Sequence, residues 1–331
     1  MAIRVLNQTE MLSVVTMSDI IEANRQAMKL YSSKEVDIPL RVNLNVAEHE
    51  GQSLYMTGYA GGADALGVKI VSVYPKNIEK GITSVPASMV LLDPETGVVN
   101  CFMDGTLLTQ LRTGAISGLA TELLARQDAS VMLLIGTGGQ ATTQLEAVLT
   151  VRDIKQVYVS DINFERAKQF CDEMMDRFGE KYSVKIEAVK NVSDVISQAD
   201  IVTAVTTSKN PVFSSDELKP GAHVNGVGSF MADMSEIDPQ IFKRASLVYV
   251  DTMDAFTEAG DFQKPLKAGE ITENIVTGEI GQLIMSQTPG RSNNEEITFF
   301  KTTGNAVLDI VAARKIYELA AEKEIGQLIQ L

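Results

Sequence analysis

The chain has 331 residues, enough for two domains or one large one, and 45% of them are apolar, which supplies a sizeable core. A formal net charge of −14 argues against non-specific nucleic-acid binding, and no run approaches the ~20 apolar residues of a membrane span. Two cysteines (Cys101, Cys171) and two histidines (His49, His223) lie apart without metal or redox spacing, so buried free thiols and no metal site are expected. The start of the chain shows no secretory apolar segment, and a cytoplasmic location is expected.

In chain order, Ser18 is expected to cap a helix with Asp19 in its first turn. Ile20, Ala23, Ala27, Leu30 and Tyr31 make its apolar stripe, and Ser32-Ser33-Lys34 ends it. Arg41 to Val46 alternates in the manner of a strand. Leu54-Tyr55-Met56 leads into a segment of small residues, Gly58 to Gly67. Val68 to Val73 then reads as a strand carrying Lys69 among apolar residues. Such a lysine either snorkels from an edge strand or is aimed into a site. Ser88–Leu92 and Val98–Met103 flank a proline–glycine turn, which predicts a hairpin. Asp104 is expected to cap a long helix, 106–126, that contains Arg112.

From residue 129 the pattern becomes strand, helix, strand. Strands are predicted at 130–135, 156–160, 183–188, 200–206, 222–227 and 246–251. Helices are predicted at 139–151, 163–178 and 192–198, with a short one near 214–218. Alternation of this kind builds a parallel, doubly wound α/β sheet. Its first turn reads Gly136-Thr137-Gly138-Gly139-Gln140-Ala141, and Asp161 closes the second strand. This is the arrangement a dinucleotide needs. Gly136 permits the turn, Gly138 lets backbone approach a pyrophosphate, and the helix N-terminus faces the phosphates. Asp161 accepts the ribose hydroxyls and repels a 2′-phosphate, which predicts NAD(H) over NADP(H). Thr206-Thr207-Ser208, Gly226-Val227-Gly228-Ser229 and Asp251 fall at the carboxyl ends of strands, where they are either ligand contacts or turn residues.

Ile297 to Lys301 reads as a further strand and Asn305 to about Ala321 as a final helix. Returning to the N-terminal region is the simplest packing for the pair, although a Rossmann domain drawn to residue 301 keeps the strand. The expected domains are a Rossmann domain, 116–301, and a split α+β substrate-binding domain, 1–115 plus 302–331, with a cleft between them. A dinucleotide domain beside a second domain suggests hydride transfer. Arg41, Lys69 and Arg112 are cations suited to a substrate carboxylate, although surface charge is the commoner use of such residues.

The chain resembles the ornithine cyclodeaminase/mu-crystallin family over nearly its full length. Pro39-Leu40-Arg41, Gly67-Val68-Lys69, Leu111-Arg112-Thr113-Gly114-Ala115 and Gly136 to Ala141 carry the resemblance. So do Asn225 to Ser229, Glu258 to Asp261 and Phe300-Lys301-Thr302-Thr303-Gly304. The resemblance implies a homodimer and a carboxylate clamp at Arg41, Lys69 and Arg112. It implies hydride transfer between nicotinamide and the α-carbon of a small 2-imino or 2-amino acid. Expected cofactor contacts are Arg112, Thr113, Gly136, Thr137, Gly138, Gly139, Gln140, Ala141, Asp161, Ile162, Thr206, Val227, Ser229 and Lys301.

Two departures bear on the reaction. The cyclodeaminase aspartate is replaced by Phe230, and its glutamate two residues before Met56 by Leu54. Neither side chain manages an amine or ammonia release. An imine reductase or amino-acid dehydrogenase is therefore expected, with Lys69 as the acid–base group and Met56 and Phe230 lining the substrate. A cyclodeaminase-like lyase with recycled NAD and a non-enzymatic, crystallin-like binding protein are the alternatives.

Overall fold

A computed structural model describes residues 2–331. The chain divides into two compact units, Met1–Arg112 with Asn305–Leu331, and Thr113–Gly304.

The first unit is built on one sheet with strands β1 (Ala2–Leu6), β2 (Val36–Asp37), β3 (Val42–Val46), β4 (Gly51–Ala60), β5 (Ala65–Val73), β6 (Ala87–Leu92) and β7 (Val99–Asp104). Its order is Gln327–Gln330, β1, β7, β6, β5, β4, β2, with β3 also paired to β4. All pairings are antiparallel except β1 with β7. The small-residue segment after Met56 is therefore largely strand, joined by a short turn at Gly61–Ala63. Glycine serves packing there: a Cβ on Gly58 would lie 2.5 Å from Ile38 and 3.2 Å from Ile310 of the final helix.

That helix, Ala306–Glu322, packs across β4, β5 and β6 and against the helix Met17–Ser32. Asn305 caps it through the Val307 amide at 3.0 Å. The cap of Met17–Ser32 is Thr16 and not Ser18, because Asp19 then occupies the third helical position and completes a reciprocal capping box.

The second unit holds β8 (Val131–Ile135), β9 (Gln156–Ser160), β10 (Lys185–Ala188), β11 (Ile201–Ala204), β12 (His223–Gly226), β13 (Ala245–Val250), β14 (Gly278–Glu279) and β15 (Ile297–Lys301). The sheet order is β10-β9-β8-β11-β12-β15-β13-β14, parallel throughout. Strand β15 thus belongs to this sheet, between β12 and β13. It does not return to the N-terminal region, and of that pair only the final helix does. Alternate residues of β8 enter different apolar clusters, Leu133 and Ile135 in one, Met132 and Leu134 in the other, as both faces of a doubly wound sheet require.

The segment 163–178 is α-helical only from Phe164 to Met174 and closes with a π-helical turn, Met175–Gly179. The segment 192–198 makes two short 3-10 turns. Two helices absent from the sequence-based expectation, Met253–Glu258 and Gly260–Lys267, follow β13. Among the described residues no helix is long and apolar enough to cross a membrane. The thiols of Cys101 and Cys171 are buried and free, each pushed up to about 12 by that burial.

Candidate active site

In the first unit, Lys69 lies on β5, in the interior of the sheet and not at an edge, with Met56 of β4 and Met89 of β6 as its cross-strand partners. Cross-strand partners share a face, so two thioether side chains flank the lysine and leave it 1% exposed. Its ammonium meets Asp309 of the final helix, Nζ to Oδ2 at 2.6 Å. The other carboxylate oxygen of Asp309 accepts the Nε–H of Arg112 at 2.9 Å. Arg112 is fixed a second time, because its carbonyl accepts the Asn24 side-chain amide at 2.7 Å.

Both the remaining ammonium hydrogens of Lys69 and the Nη groups of Arg112 lack a hydrogen-bond partner among the described residues. They are the groups from which a bound carboxylate or amine would draw hydrogen bonds. Burial pulls the Lys69 ammonium down to about 8, and Arg112 and Arg41 pull the same way against Asp309. The structure therefore brings Arg41, Lys69, Arg112 and Met56 to one neighbourhood and adds Asp309 and Met89, neither of which the sequence singled out. A signal for Asp309 was present: it is an acid inside the apolar run Ala306 to Ala313.

In the second unit, Gly136 has φ +101°, and a Cβ there would meet the Val205 carbonyl oxygen at 2.8 Å. Only glycine serves that turn. Gly138 is different: a Cβ on it would meet nothing within 4 Å, so the protein's own packing places no demand for glycine at this position. A ligand approaching the backbone would. The helix Ala141–Val151 that follows has no side-chain cap from Gln140 and no acid in its first turn. Its first amides are thus left for an anion. Gly139 is exposed, Ala141 is fully buried against the sheet, and Thr113 is held through its carbonyl by Gln144 at 3.0 Å.

Asp161 accepts the amide and hydroxyl of Thr137 at 2.9 and 2.6 Å and the Asn163 amide at 2.9 Å. Burial works against its charge, but these hydrogen bonds and Arg166 hold the carboxyl below its usual range. Ile162 projects fully into solvent, as a flat apolar contact for an adenine would. This donor and acceptor set fits NAD(H). The glycine turn and the uncapped helix would hold its pyrophosphate, and Asp161 its adenosine ribose.

Thr206, Val227 and Ser229 sit at the carboxyl ends of β11 and β12, but their amides are already taken. The buried carboxylate of Glu236 accepts Thr206 N–H at 2.7 Å, Thr206 Oγ at 2.9 Å, Val227 N–H at 3.1 Å and Ser229 N–H at 3.2 Å. The Gly228 amide joins them. Burial pushes the Glu236 carboxyl up, against the pull of Lys301. Asp261 in turn accepts the amides of Glu236 and Ile237 at 2.8 and 3.1 Å, and its second oxygen lies 2.8 Å from the ammonium of Lys301. Lys301 is wholly buried, so its charge serves this pair and faces no solvent. Sequence gave no sign of Glu236, which lies outside every motif. Phe230 is partly exposed, and the nearest following acid, Asp233, forms a surface pair with Lys209 at 2.8 Å. No group of three or more His, Cys, Asp or Glu side chains able to hold a metal occurs among the described residues. His223 is buried between Thr298 and Asn225, and burial pulls it down to about 3, so it is a neutral core residue.

A model of the ornithine cyclodeaminase/mu-crystallin family matches residues 2–324. The Δ1-pyrroline-2-carboxylate reductase of Bacillus cereus is 37% identical over 327 residues, covering 98% of this chain and 99% of the relative. The Thermococcus litoralis Δ1-pyrroline-2-carboxylate reductase, solved with NADH and L-proline, superposes with a TM-score of 0.93 at 36% identity, covering 99% and 100% of the two chains. An archaeal alanine dehydrogenase dimer with bound NAD has a TM-score of 0.90 at 32% identity, with both chains fully covered. The chain belongs to the ornithine cyclodeaminase/mu-crystallin family.

Proposed function

We propose that this chain is an NAD(H)-dependent oxidoreductase that interconverts a small 2-imino acid and the corresponding amino acid, with Δ1-pyrroline-2-carboxylate and L-proline as the first pair to test. The observation that carries this reading is the Lys69–Asp309–Arg112 cluster, buried beside Arg41, with hydrogens of two cations left for a ligand. The unit Met1–Arg112 with Asn305–Leu331 binds the substrate and Thr113–Gly304 binds the cofactor. The nicotinamide, when bound, supplies or accepts the hydride.

This chain's residues do the rest. The Nη groups of Arg112 and the guanidinium of Arg41 hold the substrate carboxylate. Lys69 gives a proton to the substrate nitrogen during reduction and takes it back during oxidation. The two methionines beside it, Met56 and Met89, suit an aliphatic ring better than a second charge. Phe230 and Leu54 supply no base for a departing amine, which favours a reductase over a cyclodeaminase. The chain acts as a homodimer in the cytoplasm. The dimeric archaeal relative supports the first, together with Leu40, Val42 and Leu44, which stand exposed on and beside β3. The buried free thiols suit a reducing compartment.

The test is NADH oxidation with Δ1-pyrroline-2-carboxylate, and with pyruvate or glyoxylate plus ammonia or methylamine, alongside light scattering for mass. NADH loss matched by amino-acid formation supports the reading. Ornithine conversion without net change in NADH would replace it with the lyase.

A further inference from the structure

Among the described residues, Asp309 is the one anion that pairs with Lys69. Arg112, on the helix Gly105–Leu124, and Arg41, before β3, are cations, while β4 and β6 present Met56 and Met89. Without the aspartate, the Lys69 ammonium and the Arg112 guanidinium would lie together where water is largely excluded, and of the two only the lysine relieves this by losing its proton. The two oxygens of Asp309 are divided between the two cations, 2.6 Å to Lys69 and 2.9 Å to Arg112 Nε.

We propose that Asp309 is the positioning residue of the site: its buried charge keeps Lys69 in the ammonium form and turns the Nη edge of Arg112 toward the substrate carboxylate. The inference rests on the functional reading above for its consequence in catalysis. In the reduction, hydride adds to the α-carbon and the C=N π pair takes the Lys69 proton at nitrogen. A bound NADH would supply that hydride and be left oxidised, and Lys69 is left as a neutral amine, which solvent reprotonates. Asp309 touches neither reacting atom and changes only how firmly Lys69 holds its proton.

The test measures two pH profiles on wild type, D309N, D309E and K69M. The first is melting temperature, which needs no substrate. Lys69 is held at about 8 in the folded chain, against 10.5 for an ordinary lysine. Its burial therefore costs stability fully below that lower value, and stability recovers as pH rises from about 8 toward 10.5. K69M should lack this recovery. In D309N it should begin about 1–3 pH units lower, the range an opposite charge commands, and in D309E close to the wild-type position.

The second profile is kcat/KM for imine reduction. Its fall at alkaline pH should move with the first profile in D309N and stay in D309E. If D309N does not fold, K69M in the same chain should restore folding, because the unpaired ammonium is the cause. Failure of that rescue, or a melting profile unmoved in D309N, overturns the inference. A melting profile that moves in D309N, while wild type is inactive on every imine, upholds the charge role and overturns the proposed function.

Discussion

Thr137 donates both its amide and its hydroxyl to one oxygen of Asp161, at 2.9 and 2.6 Å, so the glycine turn and the residue expected to read the ribose are a single hydrogen-bonded unit. Arg166 completes it by donating to the Thr137 carbonyl at 2.9 Å. A cation thus stands near Asp161, and the Asp161 charge is what would oppose a 2′-phosphate there. Wild type should bind NADH more tightly than NADPH. D161S should shift that ratio toward NADPH by about 10-fold or more, ~1.4 kcal/mol, as read by fluorescence titration of both cofactors. An unchanged ratio would remove Asp161 from cofactor choice.

Gly138 and Gly228 separate a demand made by ligand from one made by fold. A methyl on Gly138 meets nothing of the protein within 4 Å, so G138A should keep the wild-type melting temperature and weaken NADH binding about 10-fold or more. A methyl on Gly228 would stand 1.9 Å from the Thr206 carbonyl oxygen, so G228A should lose stability by several kcal/mol or fail to accumulate. Urea unfolding and cofactor titration of the two variants check both statements. Equal loss of stability in the two would show that Gly138 is structural.

The Lys301–Asp261 pair is wholly buried, with Glu236 hydrogen-bonded through its own amide to Asp261. Replacing Lys301 by Met leaves two carboxylates in the interior without their cation. K301M should lose about 3–5 kcal/mol in urea unfolding. It should also loosen the loops that Glu236 ties together, seen as faster proteolysis near Thr206 and Val227. A K301M chain as stable as wild type would mean that these carboxylates are protonated and the pair is dispensable.

The parts of the site that could be read in sequence are the local ones. Gly136 to Ala141 and Asp161 are legible because a tight turn, a helix start and a strand end constrain residue type within one strand–helix–strand unit. Lys69 was visible as a charge in an apolar strand, though whether that strand was central or at an edge depends on pairings made elsewhere in the chain. Asp309 showed only as an acid in an apolar helix, and its pairing was hidden because Arg112 lies 197 residues away. The place of β15 between β12 and β13 was hidden for a similar reason: a parallel strand's pattern states that it is buried, not which strands flank it. The role of Gly58 was not legible either, since a small residue in sequence does not say what it packs on, and here it marks the close passage of the final helix over β4.

Lys69 delivers the proton that accompanies the hydride a bound nicotinamide would supply. The most direct measurement is NADH consumption against L-proline formation from Δ1-pyrroline-2-carboxylate, in wild type and K69M. Wild type should oxidise one NADH per proline formed. In K69M kcat should fall by about 100-fold or more, with NADH binding unchanged. Wild-type turnover in K69M with only a raised KM would contradict this role, leaving Lys69 a binding charge and the proton to another source.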